Sequence, residues 1–108
     1  MKYPLRGEVW LVDLGMAAKI RPCLVISAPF NDVERALVTL VPHTTSTRGS
    51  QFESSVATHF LKQGAFDAQG LVTVPPSRAI RLLGKLTTEQ LRRVELTVCL
   101  WLGLPCPP

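Results

Sequence analysis

Two short stretches of this chain hold side chains able to act on a phosphate. The first is Arg21-Pro22. Proline biases the residue before it towards extended backbone, so Arg21 should stand at the mouth of a strand. A guanidinium there can clamp a phosphate through paired hydrogen bonds, or it can simply solubilise the strand end. The second stretch is Pro42-His43-Thr44-Thr45-Ser46-Thr47-Arg48-Gly49-Ser50. Its hydroxyls, imidazole and guanidinium suit a loop that holds an oxyanion, with backbone N–H groups helping. Ser, Thr and Gly are also what plain solvated turns use. Of the two histidines, His43 is the better candidate for acid–base work because it adjoins this loop. His43 and His59 are too few and too far apart in sequence to predict a metal site. No C-x-x-C pair occurs, so no structural zinc is expected. A Gly-rich phosphate loop, a G-x-S-x-G elbow and an H-E-x-x-H helix are all absent, which leaves the enzyme classes that carry them without support.

The elements that must position these residues are short. Glu8–Leu14 is β-rich and bounded by Gly7 and Gly15. Cys23–Ser27 follows Pro22, and Ala36–Val41 ends at Pro42. Their length and their Gly and Pro punctuation predict strands rather than buried helices. Weaker strands are expected at Gln51–Val56, Leu71–Val74 and Arg78–Leu82, the last with basic and apolar residues on opposite faces. Gly64 to Gly70 reads as a loop. The period then changes. Thr87-Thr88-Glu89-Gln90 resembles a capping box. Leu91, Val94, Val98 and Trp101 mark one helical face, and Gly103 and Pro105 end the helix. Several strands followed by one helix predict an α+β chain: an antiparallel barrel or curled sheet closed by a helix.

Composition sets the outer bounds. One domain over 1–108 is expected at this length. An apolar fraction of 46% against 19% charged excludes a disordered chain. The longest apolar run, Val98 to Leu104, falls far short of the ~20 residues that a bilayer needs. Lys2, Pro4, Arg6 and Glu8 stand where a signal peptide would be apolar, so a cytoplasmic protein is expected. Twelve basic against eight acidic residues give +4, which fits a phosphate-bearing partner without demanding one. Cys23 and Cys99 lie in apolar runs and are expected as small core residues in a reducing compartment. Cys106 falls in a Pro-rich tail expected to fray.

Taken together, Arg6-Gly7-Glu8-Val9-Trp10-Leu11-Val12-Asp13-Leu14, Arg21-Pro22-Cys23-Leu24-Val25-Ile26-Ser27 and Val41-Pro42-His43-Thr44-Thr45 resemble the MazF/PemK family of toxin ribonucleases. Gln51-Phe52-Glu53, Gly70-Leu71-Val72, Arg78-Ala79-Ile80 and the terminal helix extend the likeness more loosely. The resemblance implies a small SH3-like β-barrel with a C-terminal helix, acting as a homodimer and blocked by a cognate antitoxin. It implies cleavage of single-stranded RNA without metal or cofactor, at a preferred sequence, leaving a 2′,3′-cyclic phosphate and a 5′-hydroxyl. By position it assigns catalysis to Arg21 and Thr44, and RNA contacts to Lys19, Thr45, Arg48, Arg78 and Arg81. The chain departs from the pattern twice. Gly15 to Ile20 is short and lacks an acidic residue, and Pro75-Pro76 stands where many relatives carry Gln. Two other functions suit the same barrel: a nucleic-acid-binding module that does not cut, and a gyrase-directed toxin resembling CcdB.

Overall fold

The structure, a computed structural model, describes residues 3–15 and 19–106. The loop expected to be short lies partly outside them, at 16–18. Seven strands precede one helix: β1 (Glu8–Asp13), β2 (Ile20–Val25), β3 (Val38–Thr44), β4 (Glu53–Ser54), β5 (Ala65–Asp67), β6 (Val72–Val74), β7 (Ala79–Lys85) and α1 (Thr88–Leu102). The strands form one antiparallel sheet in the order β4-β5-β3-β2-β1-β7, with β6 also paired to β3. This is the barrel-like sheet with a C-terminal helix that the sequence leads one to expect. It is not closed by hydrogen bonds, because β4 and β7 do not pair.

The Gly-Glu-Val-Trp opening has a structural basis. Gly7 adopts φ +91°, a conformation that side chains disfavour. Its N–H donates to Val25 O and its carbonyl accepts from Leu86 N, at 2.9 and 3.0 Å. The next residue, Glu8, is 8% exposed. Its carboxylate accepts from Leu5 N and Trp10 Nε1, at 2.7 and 3.0 Å. Gly7 thus joins the start of β1 to the ends of β2 and β7, and Glu8 ties the preceding turn to Trp10.

Strand β3 organises the rest. Residues 38–40 pair with β6, 40–42 with β2, and 43–44 with β5. Pro42 sits where β3 changes partner, a position where a missing N–H is tolerated. That is why β3 continues through Pro42 to Thr44 instead of ending at Val41. β2 likewise begins earlier than expected, at Ile20, with Pro22 opposite Leu11 just beyond the last β2–β3 pair. Within the stretch expected as a loop, Ala65–Asp67 is a strand. β4 shrinks to two residues, and β7 runs on to Lys85. Ile80, Arg81 and Leu82 are all exposed, so neither face of this part of edge strand β7 is buried.

The helix follows its sequence signals. Thr87 Oγ1 accepts from Gln90 N, and the Gln90 side chain accepts from Thr87 N. Val94 and Val98 enter a core with Val9, Leu24, Val41 and Phe66. Each such buried side chain stabilises the fold by about 1.5–3 kcal/mol. Trp101 packs edge-on against Phe52, centroids 5.0 Å apart, and stays partly exposed. Gly103 ends the helix at φ +68° and turns the tail back, with Leu104 N donating to Cys99 O. As far as Cys106 the tail is not the loose end expected. Cys99 and Cys106 are joined as a disulfide, Cα atoms 6.2 Å apart, and only Cys23 is a buried free thiol. The left-handed turn at Gly103 brings the two together, which spacing alone does not reveal. Among the described residues no helix is long and apolar enough to cross a membrane.

Candidate active site

A second core cluster, Val12, Cys23, Val25, Val38 and Leu40, fills the inner face of β1, β2 and β3. Alternation along a strand puts Arg21 on the face of Cys23, and Pro42 and Thr44 on the face of Leu40. Where this core ends, a groove of about 630 Å³ opens. Arg21, Thr44, Arg48, Glu53, Asp67 and Gln69 are among the residues that line it. The two candidate catalytic residues therefore come from different strands into one groove.

Each is positioned by its neighbours. Arg21 is the second residue of β2, opposite Val12. Its charge opposes, but does not overcome, the burial that pushes the Cys23 thiol up to about 12. Thr44 ends β3 opposite Ala65. Its Oγ1 accepts from Ser46 N at 3.0 Å, which orients the hydroxyl and leaves its proton to donate elsewhere. Gly64 allows this close approach of β3 and β5. A Cβ there would meet the Thr44 carbonyl oxygen at 2.2 Å and His43 Cε1 at 2.8 Å.

The loop after Thr44 is held by an acid. Glu53 accepts from Arg48 N at 3.0 and 3.1 Å and from Ser50 N at 3.2 Å. Ser50 and Glu53 thus form a capping-box-like clasp without a helix. Asp67, opposite Glu53 in the β4–β5 pair, accepts from Gln69 N at 3.0 Å. Sequence reasoning assigns neither carboxylate to the site. The one available signal is the Ser50-x-x-Glu53 spacing.

The remaining expected residues divide. Arg48 lines the groove with Arg21. Arg78 Nη1 reaches Asp13 O at 3.5 Å, beside the β1–β2 loop. Lys19 ends that loop at φ +63°, and its carbonyl accepts from groove-lining Leu14 at 3.1 Å. Thr45 turns instead into a separate depression. Arg81, opposite Leu11 on β7, does not line the groove. His43 borders the groove but points away from Thr44. It pairs with Phe66 across β3–β5, ring centroids 5.1 Å apart, and is 4% exposed. Its Nε2 is buried without a hydrogen-bond partner, and burial lowers its pKa. Among the described residues no group of three or more His, Cys, Asp or Glu is placed to hold a metal ion.

The fold and groove define a small barrel-like protein whose open groove is lined by two arginines, two carboxylates and a set of hydroxyls. Residues 5–102 match the PemK-like, MazF-like toxins of type II toxin–antitoxin systems, and the chain belongs to that family. It is 29% identical over 107 residues to Endoribonuclease MazF4 of Mycobacterium tuberculosis, covering 99% of this chain and all of that protein. Endoribonuclease MazF1 of Mycobacterium bovis matches with the same identity and coverage. The fold also superposes on a mycobacterial endoribonuclease solved in complex with its cognate antitoxin, with TM-score 0.81 and 27% identity. That match covers 96% of this chain and 99% of that one.

Proposed function

We propose that this toxin is an endoribonuclease that cuts single-stranded RNA with Arg21 and Thr44, using the RNA's own 2′-hydroxyl as nucleophile. The observation that carries the reading is the convergence of these two side chains from β2 and β3 on one groove. The 2′-oxygen attacks the adjacent phosphorus and the bond to the 5′-oxygen breaks. The products are a 2′,3′-cyclic phosphate and a 5′-hydroxyl. The 2′-oxygen gives its proton to solvent water in the open groove, and the 5′-oxygen takes one from Arg21, which solvent then reprotonates, so no net proton is consumed. Because RNA supplies the nucleophile, the protein's task is to hold the phosphate and stabilise the charge that builds on its oxygens. Arg21 supplies a fixed positive charge and paired donors, and the Thr44 hydroxyl supplies a further donor. Arginine's pKa above ~12 makes Arg21 a stabiliser and a donor, not a base. His43 faces the opposite side of β3 and takes no part in proton transfer.

Arg48 and Lys19 flank the groove as RNA contacts. Arg78 reaches the end of β1 at Asp13, next to groove-lining Leu14, and Arg78, Thr45 and Arg81 extend the contact surface around the groove. The toxin works in the cytoplasm as a homodimer and is neutralised by a cognate antitoxin. Exposed Leu96, Leu100, Leu102 and Leu104 on the helix and tail, with the open edge of β7, support an assembling surface. The test is to incubate the protein with a long single-stranded RNA in excess EDTA and map the ends. Discrete cuts with cyclic-phosphate ends, absent in Arg21→Ala, are expected. Intact RNA from a folded protein would replace this reading with a non-cutting or gyrase-directed toxin.

A further inference from the structure

A second depression, about 850 Å³, lies across the Thr44–Arg48 loop from the groove. Thr44, Ser46 and Arg48 line the groove, while Thr45 and Thr47 line the depression. The two cavities share this loop as their dividing wall. Their charge differs. The groove carries Glu53 and Asp67 beside its arginines, whereas among the described residues no carboxylate lines the depression. Lys62 and Arg93 do line it, and neither has an ion-pair partner among the described residues. The Thr58 hydroxyl is buried at its edge without a hydrogen-bond partner. Gln90 is held in place by its cap to Thr87 and by donation from Nε2 to Ala57 O at 3.1 Å.

Two unpaired cations and several hydroxyls, with no acid among them, suit a phosphodiester. A polymer whose reacting phosphate sits at Arg21 has to leave the groove over its rim, and this wall is one of its rims. We infer that the depression is a second nucleic-acid subsite, in which Lys62 and Arg93 hold RNA phosphates away from the cleaved bond while Thr45, Thr47 and Thr58 supply hydroxyl contacts. The inference deepens the proposed ribonuclease function and rests on it. The subsite fixes the direction in which substrate crosses the toxin and makes a longer RNA the better ligand.

The test uses a 2′-O-methyl RNA of mixed sequence, which lacks the nucleophile and survives binding. Its affinity is measured by fluorescence anisotropy over a salt series, for wild type and for Lys62→Gln/Arg93→Gln. For single strands, the slope of log affinity against log salt falls by about 0.7 for each phosphate that the protein no longer neutralises. The double variant should therefore lose up to about 1.4 in slope, with its thermal unfolding unchanged. A folded double variant with the wild-type slope, from a protein that cleaves RNA, overturns the inference and leaves the ribonuclease reading standing. An unchanged slope with weaker binding of an acidic peptide assigns the depression to a protein partner and also overturns it. A wild type that neither cuts nor binds RNA removes the reading and the inference together.

Discussion

A single methyl group placed outside the groove should disable it. Gly64 immediately precedes β5 and lies against the end of β3. The Cβ of Gly64→Ala would sit 2.2 Å from the Thr44 carbonyl oxygen, a backbone atom that cannot rotate away. Non-bonded heavy atoms rest about 3.5 Å apart, so the two strands must separate by about 1 Å. Overpacking of this kind costs about 1–3 kcal/mol. Weakening the Thr44–Ala65 pairing adds about 1 kcal/mol for a lost hydrogen bond. The expected total is about 3 kcal/mol, or a fall in Tm of about 10–20 °C for a domain of this size. Below that transition, displacement of Thr44 should lower single-turnover cleavage by about a hundredfold. Gly49→Ala is the matched control in the adjoining loop. Nothing lies within 4 Å of its Cβ, and its φ of +68° alone should cost about 1–2 kcal/mol. Calorimetry and rapid-quench cleavage measure both quantities. A Gly64→Ala protein with near wild-type Tm and rate would refute the claim that β5 sets the position of Thr44.

Glu53→Gln should lose about 1–2 kcal/mol in chemical denaturation and raise KM, because the clasp on Arg48 N and Ser50 N loosens. Burial holds the His43 pKa below its usual value, so the unfolded chain binds a proton that the folded chain resists. Stability from this residue is present above about pH 6.5 and is lost as pH falls through it; His43→Phe should flatten that part of a Tm-against-pH curve. Thiol titration should find no fast-reacting group in the oxidised folded protein, two after mild reduction and three after reduction in denaturant, since Cys23 is buried and Cys99 is paired with Cys106.

The parts legible in sequence are those fixed locally. Gly7 and Gly15 bound β1, and Thr87 and Gln90 announce the helix because their bonds span three residues. β5 is illegible because three residues form a strand there only through pairing with β3 and β4. The end of β3 is hidden because proline usually stops a strand, whereas here the strand changes partner at Pro42. The difference matters for the site. With β3 ended at Val41, the face of His43 has no assignment, and alternation past Pro42 sends it to Phe66. Arg21 and Thr44 are legible by residue type and family likeness. Glu53 and Asp67 are not, since only the short β4–β5 pair brings them to the groove. Cys106 looks like part of a loose end in sequence because the left-handed turn at Gly103 lies between it and Cys99.

The central claim is that Arg21 and Thr44 act on one phosphate. Single-turnover cleavage by Arg21→Ala, Thr44→Val and the double variant, in EDTA and with folding checked, tests it most directly. Each single change should slow cleavage by about 10²–10³-fold. Groups that act as a unit are not additive, so the double variant should be little slower than the slower single one. Single variants that cut at the wild-type rate, or losses that multiply fully in the double variant, would contradict the account.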